Sequence, residues 1–180
     1  MGLYFFDTSA HICKYVPSPH SRTVRPLVSD SGNQCYIADW TVLEMASSIA
    51  RNCRKENKEA KETGTNYDLR RKYDLRDRSF ALDIADGRLK VRITNSRDIL
   101  HARELIRFSG VLRANKVGTG DAIIAACCLN LSHELGEKVI FYTADNDLYR
   151  ILYNHDHFRS VMCLRFLGTP RDPTLPQRTC

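Results

Sequence analysis

The sequence predicts an α/β fold in which a central parallel sheet carries helices on both faces. Three observations lead there. Short β-like runs alternate with helical patterns along the chain, the order that gives parallel strands joined by helical crossovers. The runs are apolar at consecutive positions, as in Leu3-Tyr4-Phe5-Phe6 and Val139-Ile140-Phe141-Tyr142, which suits strands covered on both sides. A chain of 180 residues, 43% of them hydrophobic, suits one domain with a real core, burying roughly 70% of the surface its unfolded form exposes.

Strands are expected at 3–7, 34–38, 90–94, 138–143 and 161–166, and helices at 8–16, 19–30, 40–62, 66–86, 96–109, 119–135 and 145–155. The first strand is the apolar run that Asp7 closes, and a short helix follows it directly. The second, around Tyr36-Ile37-Ala38, leads to a helix for which Asp39 is the expected N-cap. Gly64 separates that helix from the next. Ser96 and Thr119 are the expected caps of the two helices after the third strand, and Gly136 stops the second of them at the position where left-handed glycine ends helices. Asp145 starts the last helix. The crossovers are expected to be right-handed. Residues 1–167 read as the domain; 168–180 hold three prolines and no periodicity and read as a tail.

The two helices around Gly64 are unusual. Residues 51–78 carry ten Lys/Arg against six Asp/Glu, which supplies +4 of the chain's net +6. Leu69, Tyr73, Phe80 and Ile84 form an apolar stripe at helical period within the second helix. The expectation is an antiparallel pair projecting from the sheet edge, packed on one side and basic on the other. A basic balance favours a polyanionic partner. A membrane span is excluded, since no apolar run approaches the roughly 20 residues it needs, and no charged leader precedes Leu3; the cytoplasm is the expected compartment. The seven cysteines (13, 35, 53, 127, 128, 163 and 180) show neither CxxC nor zinc spacing and read as reduced, mostly buried small hydrophobes. His155-Asp156-His157 reads as a polar helix end in solvent.

Four acids fall where this fold would gather them. Asp7 and Asp145 follow apolar strands; Glu44 lies in the first turns of the helix after Ala38; Asp121 opens the small-residue helix Asp121-Ala122-Ile123-Ile124-Ala125-Ala126. Singly, each has an ordinary reading as a helix cap, a dipole partner or a solvated side chain. Together they lie at strand ends and helix starts, facing the crevice where open α/β sheets bind ligands. Two unit charges about 4 Å apart repel by roughly 4 kcal/mol at an effective dielectric of 20. Such a cluster persists through protonation or through cations, and oxygen-only ligands select Mg²⁺ or Mn²⁺, one ion or two.

These motifs resemble the PIN-domain family of metal-dependent ribonucleases, in particular the small VapC-type toxins of toxin–antitoxin pairs. The resemblance is carried by Tyr4-Phe5-Phe6-Asp7-Thr8-Ser9-Ala10, Val42-Leu43-Glu44-Met45-Ala46, Asp121 to Ala126, and Phe141-Tyr142-Thr143-Ala144-Asp145-Asn146-Asp147-Leu148, and it runs from residue 3 to about 165. It implies a three-layer α/β/α fold and cleavage of single-stranded RNA to 5′-phosphate and 3′-hydroxyl ends. It implies a metal-binding quartet of Asp7, Glu44, Asp121 and Asp145, with Asp147 as an auxiliary acid and Thr8, Ser9 and Thr143 as polar supports. An antitoxin protein and a homodimer are implied partners. Where many members have a hydroxyl near the start of the glutamate helix, this chain has Asp39-Trp40-Thr41, so Thr41 is the hydroxyl expected there.

A negative site acting on a negative substrate needs basic surroundings. Arg51, Arg54, Lys55, Arg70, Arg71 and Lys72 are the expected RNA contacts, with Arg113 and Lys116 in the loop before Asp121; a solvated helical face is the competing reading of the 51–78 run. Of the aromatics available for stacking, Tyr15, Trp40 and Tyr67, core packing is expected of Trp40. Two other functions share parts of this pattern: a housekeeping RNA-processing nuclease, and a non-catalytic module that docks RNA or protein. An aspartyl-phosphate hydrolase is disfavoured, because Ser9 rather than an aspartate stands two residues after Asp7.

Overall fold

The structure is a computed structural model that describes residues 2–111, 117–168, 174 and 176. Five strands, β1 (Leu3–Phe6), β2 (Gln34–Ala38), β3 (Lys90–Arg92), β4 (Ile140–Thr143) and β5 (Cys163–Phe166), form one sheet in the order β3-β2-β1-β4-β5. Every pair is parallel, with Tyr4 against Cys35 on one side of β1 and Ile140 on the other. The chain runs from β1 outward to β3, then returns to β4 on the opposite flank of β1. The carboxyl ends of β1 and β4 therefore border the point where strand order reverses, the usual ligand crevice of such sheets.

The helices are α1 (Thr8–His11), α2 (Ser21–Ser29), α3 (Asp39–Glu62), α4 (Leu69–Ala85), α5 (Ser96–Val111), α6 (Thr119–Leu135), α7 (Asn146–Asn154) and α8 (Asp156–Val161). They make the three-layer fold by chain half. Phe6, Cys35, Ile37 and Leu89 share one core with Ala10, Val24, Met45, Ile49 and Phe80 of the first four helices. Phe5, Ala38, Phe141 and Leu164 share the other with Leu105, Ile124, Tyr149 and Phe158 of the last four. Alternate positions of one strand feed opposite cores, so consecutive apolar residues are what two-sided burial requires.

The expected elements shift in places, each for a local reason. The predicted 8–16 helix is α1 followed by a 3-10 turn at Ile12–Lys14. The chain predicted to leave α7 for a strand at 161 forms α8 first, and β5 begins at Cys163. Asp39 does not cap α3. Ala38 occupies that position, and Asp39 instead accepts hydrogen bonds from the amide (3.1 Å) and hydroxyl (2.5 Å) of Thr94, tying α3 to the segment after β3. Ser96 is already helical. Asn95 Oδ1 accepts from the amides of Arg97 and Asp98, and Asp98 Oδ2 from the amide of Asn95, a reciprocal cap. Gly118 rather than Thr119 caps α6, and Gly136 ends it at φ 66°, a left-handed conformation that costs glycine little.

α3 and α4 fold back on each other through the Gly64 turn. Past Cys53, Ala60 is the one buried residue of α3, so its distal half extends beyond the sheet-covering part. There Glu56 accepts from Arg76 (2.9 Å) and Tyr67 (2.7 Å). Phe80 of the apolar stripe is buried with Tyr73 and Ile84 packed beside it, whereas Leu69 is exposed. A buried polar knot that sequence reasoning missed joins α4 to the 3-10 turn. Asp83 accepts from Tyr15 (2.5 Å) and Lys14 and pairs with Arg88 at 3.2 Å, while Tyr15 meets His11 at 3.2 Å.

No helix among the described residues is long and apolar enough to cross a membrane. Cys13, Cys35, Cys53, Cys127 and Cys128 are free and buried, as expected. Cys163 departs from the expected seven thiols: it is disulfide-bonded. Pairing depends on what the fold brings to the sheet edge, which linear spacing does not encode. Cys180 and most of the tail lie outside the described residues, though Tyr149 donates to the carbonyl of Pro176.

Candidate active site

Asp7 follows β1 directly and continues its ladder, its amide donating to the Tyr142 carbonyl at 3.1 Å. Its side chain then turns back as the N-cap of α1. Oδ1 accepts from the Ala10 amide (2.7 Å) and Oδ2 from the Thr143 hydroxyl (2.6 Å), while the Ser9 hydroxyl reaches both oxygens at 2.9 and 2.8 Å. Those hydroxyls are themselves held, Ser9 Oγ by the Ala144 amide and Thr143 Oγ1 by the Asp145 amide, each at 2.9 Å. Asp7 is thus locked across the mouths of β1 and β4. It is buried, and desolvation raises its pKa from 3.8 to about 7 despite these donors.

Asp121, in the first turn of α6, is the electrostatic hub. Burial is the largest cause raising its pKa to about 6, followed by the charges of Asp145 and Glu44; the Gly118 amide opposes them. Its own charge in turn raises that of Asp7. Glu44 is held from two sides, by the hydroxyl of Thr8 and by the indole Nε1 of Trp40 at 3.1 Å. Asp145 caps α7, accepting from the amides of Asp147 (2.7 Å) and Leu148 (3.0 Å).

The four acids therefore share one electrostatic neighbourhood, with three of them on two clefts and buried Asp7 lining neither. Thr8, Ser9, Glu44 and Asp121 line an open cleft of ≈ 560 Å³ along the first turns of α3, with Ile12, Trp40, Leu43, Ser47, Ser48, Arg51 and Asn52. Asp145 and Asp147 line a neighbouring one of ≈ 450 Å³. The larger cleft of ≈ 610 Å³ near Asp83 contains none of the four.

As the side chains stand, no group of three or more His, Cys, Asp or Glu among the described residues is arranged to hold a metal ion. The donor chemistry nevertheless fits a hard divalent cation: carboxylate and hydroxyl oxygens, with Asp7 and Asp121 raised first by burial and then, among the described residues, by neighbouring carboxylates. Amides, hydroxyls and an indole occupy the oxygens of Asp7, Glu44 and Asp145.

Of the expected RNA contacts, Arg51 lines the acid cleft; Arg54 and Lys55 are exposed on the next turn of α3. Arg70 and Arg71 line a separate groove on α4, and Lys72 lines the Asp83 cleft. Arg113 and Lys116 lie outside the described residues. Thr41 is buried, its hydroxyl without a hydrogen-bond partner among the described residues. Trp40, expected in the core, is 38% exposed at the cleft wall. Its partner is Gly120: a Cβ there would clash with Trp40 Nε1 and Glu44 Oε1, so only glycine lets α6 approach α3 this closely. The Gly118-Thr119-Gly120 run was the available signal for that approach.

A family model described as PIN domain matches residues 4–152. No curated protein matches the chain. Among solved structures, FitAcB from Neisseria gonorrhoeae is similar at a TM-score of 0.55 and 16% identity, covering 83% of this chain and 92% of that one. VapBC-1 from nontypeable Haemophilus influenzae is similar at 0.52 and 16%, covering 84% and 92%. At this identity the likeness is one of fold.

Proposed function

Because the chain belongs to the PIN domain family, we propose that it is a metal-dependent endoribonuclease acting on single-stranded RNA in the cytoplasm, and the toxin of a toxin–antitoxin pair. The observation that carries this reading is the shared field of Asp7, Glu44, Asp121 and Asp145 around the ends of β1 and β4, in which, among the described residues, the charges raising Asp7 and Asp121 are other carboxylates. The motif resemblance to VapC-type toxins and the likeness of fold to FitAcB and VapBC-1 support the toxin assignment. A homodimer belongs to the same reading, supported by exposed Ile99, Leu100 and Ile106 on α5. Residues 1–167 form the nuclease domain.

Asp7, Glu44, Asp121 and Asp145 would hold Mg²⁺ or Mn²⁺, with Asp147 adding charge beside Asp145. The bound ion supplies a water of lowered pKa and stabilises developing charge on the leaving oxygen. The protein's own residues fix the geometry. Thr143 and Ser9 hold Asp7, and Thr8 and Trp40 hold Glu44, so the carboxylates are oriented before substrate arrives. Arg51, on the same face of α3, meets substrate phosphate.

The test is cleavage of a labelled unstructured RNA by purified protein, with Mg²⁺ or Mn²⁺, with EDTA, and with Asp121→Asn. Cleavage should leave 5′-phosphate ends, vanish reversibly with EDTA, and fall at least about 100-fold in the variant. Full activity of Asp121→Asn, or activity indifferent to chelation, removes the assignment.

A further inference from the structure

One wall of the acid cleft carries an aromatic face besides the groups that meet phosphate. Along the first turns of α3, Trp40, Leu43, Glu44, Ser47, Ser48 and Arg51 line one continuous opening. Their spacing of three to four residues keeps them on one helix face, and eleven residues of α helix span about 16 Å. The indole is partly open to solvent, although a tryptophan that serves packing alone would be expected to hide its ring. It is also fixed. Its Nε1 donates to Glu44 at 3.1 Å, and Gly120 leaves room for the ring where any side chain would displace it. Leu43 stands beside it, 69% exposed. A rigid, accessible aromatic face next to a carboxylate that points at phosphate chemistry is suited to a flat apolar group carried on an anionic backbone.

We propose that Trp40 is a stacking platform for a nucleobase of the single-stranded substrate, holding one base against α3 while Glu44 and Asp121 face the adjoining phosphate. This rests on the nucleic-acid reading of the cleft and adds to it a residue that discriminates single strands from duplex. Bases in a duplex are already stacked on each other and offer no free face; an unpaired base does. The indole has two jobs on separable atoms: the ring face meets the base, and the N–H orients Glu44.

The chain contains one tryptophan, so its fluorescence reports this position alone. The full chain is titrated in EDTA, where cleavage is off, with a short single-stranded oligoribonucleotide, the same length carrying abasic residues, and the duplex, with labelled-strand anisotropy as an independent measure of binding. Quenching by the single strand is expected, with little from the abasic or duplex forms. Trp40→Ala and Trp40→Gln should each weaken single-strand binding roughly 5- to 150-fold, and Trp40→Phe, which keeps a ring but no N–H, should stay within a few-fold of wild type. Equal binding by Trp40→Ala and Trp40→Phe overturns the platform, as does binding without quenching, or equal quenching by the abasic strand. The nuclease reading fails separately: ring-dependent binding with no metal-dependent cleavage leaves the platform standing and removes the enzyme, whereas cleavage with ring-independent binding does the reverse.

Discussion

Replacing Asp7 by asparagine should change how stability depends on pH, by an amount the structure sets. The Asp7 carboxyl titrates near 3.8 when unfolded and near 7 when folded without a cation, because burial disfavours its charge. Between those values the folded state holds the proton more tightly, so stability falls as pH rises. At 1.36 kcal/mol per pH unit of difference, the loss accumulated between pH 5 and pH 8 is about 3 kcal/mol. His11 works in the opposite sense. Its pKa is lowered to about 3, chiefly by burial, so the unfolded chain takes the proton below 6.5 and stability rises by about 2 kcal/mol over the same interval. His11 thus partly offsets Asp7 in the wild type, and Asp7→Asn removes the larger of the two. Asparagine is isosteric with the protonated acid and does not titrate. Relative to wild type, the metal-free variant should gain about 6–12 °C in Tm on going from pH 5 to pH 8. Asp121, shifted in the same direction but more open to solvent, remains in both proteins and largely drops out of the comparison. The assay is thermal unfolding by circular dichroism in EDTA at half-unit pH steps, repeated with Mn²⁺ at pH 8, which should raise the wild type and leave the variant little changed. Parallel pH curves for the two proteins would refute the claim that a buried, uncompensated charge sits at position 7.

Three further outcomes follow from the same structure. Asp83→Ala leaves the largely buried Lys14 ammonium and Tyr15 hydroxyl without their carboxylate and should cost about 3–5 kcal/mol in urea unfolding, with Lys14→Met/Asp83→Leu recovering part of it. Thr143→Val removes the donor that does most to lower the Asp7 pKa, so the metal-free pH midpoint attributed to Asp7 should move upward, read from the same melts. Cys127 and Cys128 lie wholly inside α6, and burial pushes Cys127 up to about 12 and Cys128 upward as well; both should resist a thiol reagent at pH 8 until denaturant is added, measured by mass of the labelled peptides.

The sheet, its parallel sense and both helical layers were legible because two-sided burial leaves a direct mark: Phe5 and Phe6 are adjacent in sequence and lie in different cores. The acids were legible by position, since strand ends and helix starts can be read from apolar runs. Their partners were not. Asp39 is named by its fit to Thr94, 55 residues away, rather than by its place before a helix. The Asp83 knot joins residues 68 and 69 positions apart, and nothing in the local pattern of α4 distinguishes Asp83 from its exposed neighbours. Which way the basic residues face was not legible for the same reason. Lys/Arg density identified α3 and α4, but only helix phase decides that Arg51 faces the acids while Arg70 and Arg71 face a different groove.

Trp40 shows where such reasoning stops and why. A lone tryptophan after a buried strand is expected in the core, because burying the ring is worth more than any single contact at the surface. What overrides that expectation is backbone geometry two elements away. Gly120 lets the first turn of α6 lie against α3, and the space left beside it is filled by the indole, whose N–H then lies within reach of Glu44. The same close approach carries Asp121 into the fields of Glu44 and Asp145. One glycine thus positions both the hub of the acid cluster and the aromatic beside it. Gly120→Ala should accordingly do more than destabilise. By pushing the ring and Glu44 aside together, it should shift the tryptophan emission of the free protein and weaken metal-dependent cleavage in the same variant, whereas an alanine that merely loosened α6 would lower Tm and leave the emission of the folded state unchanged.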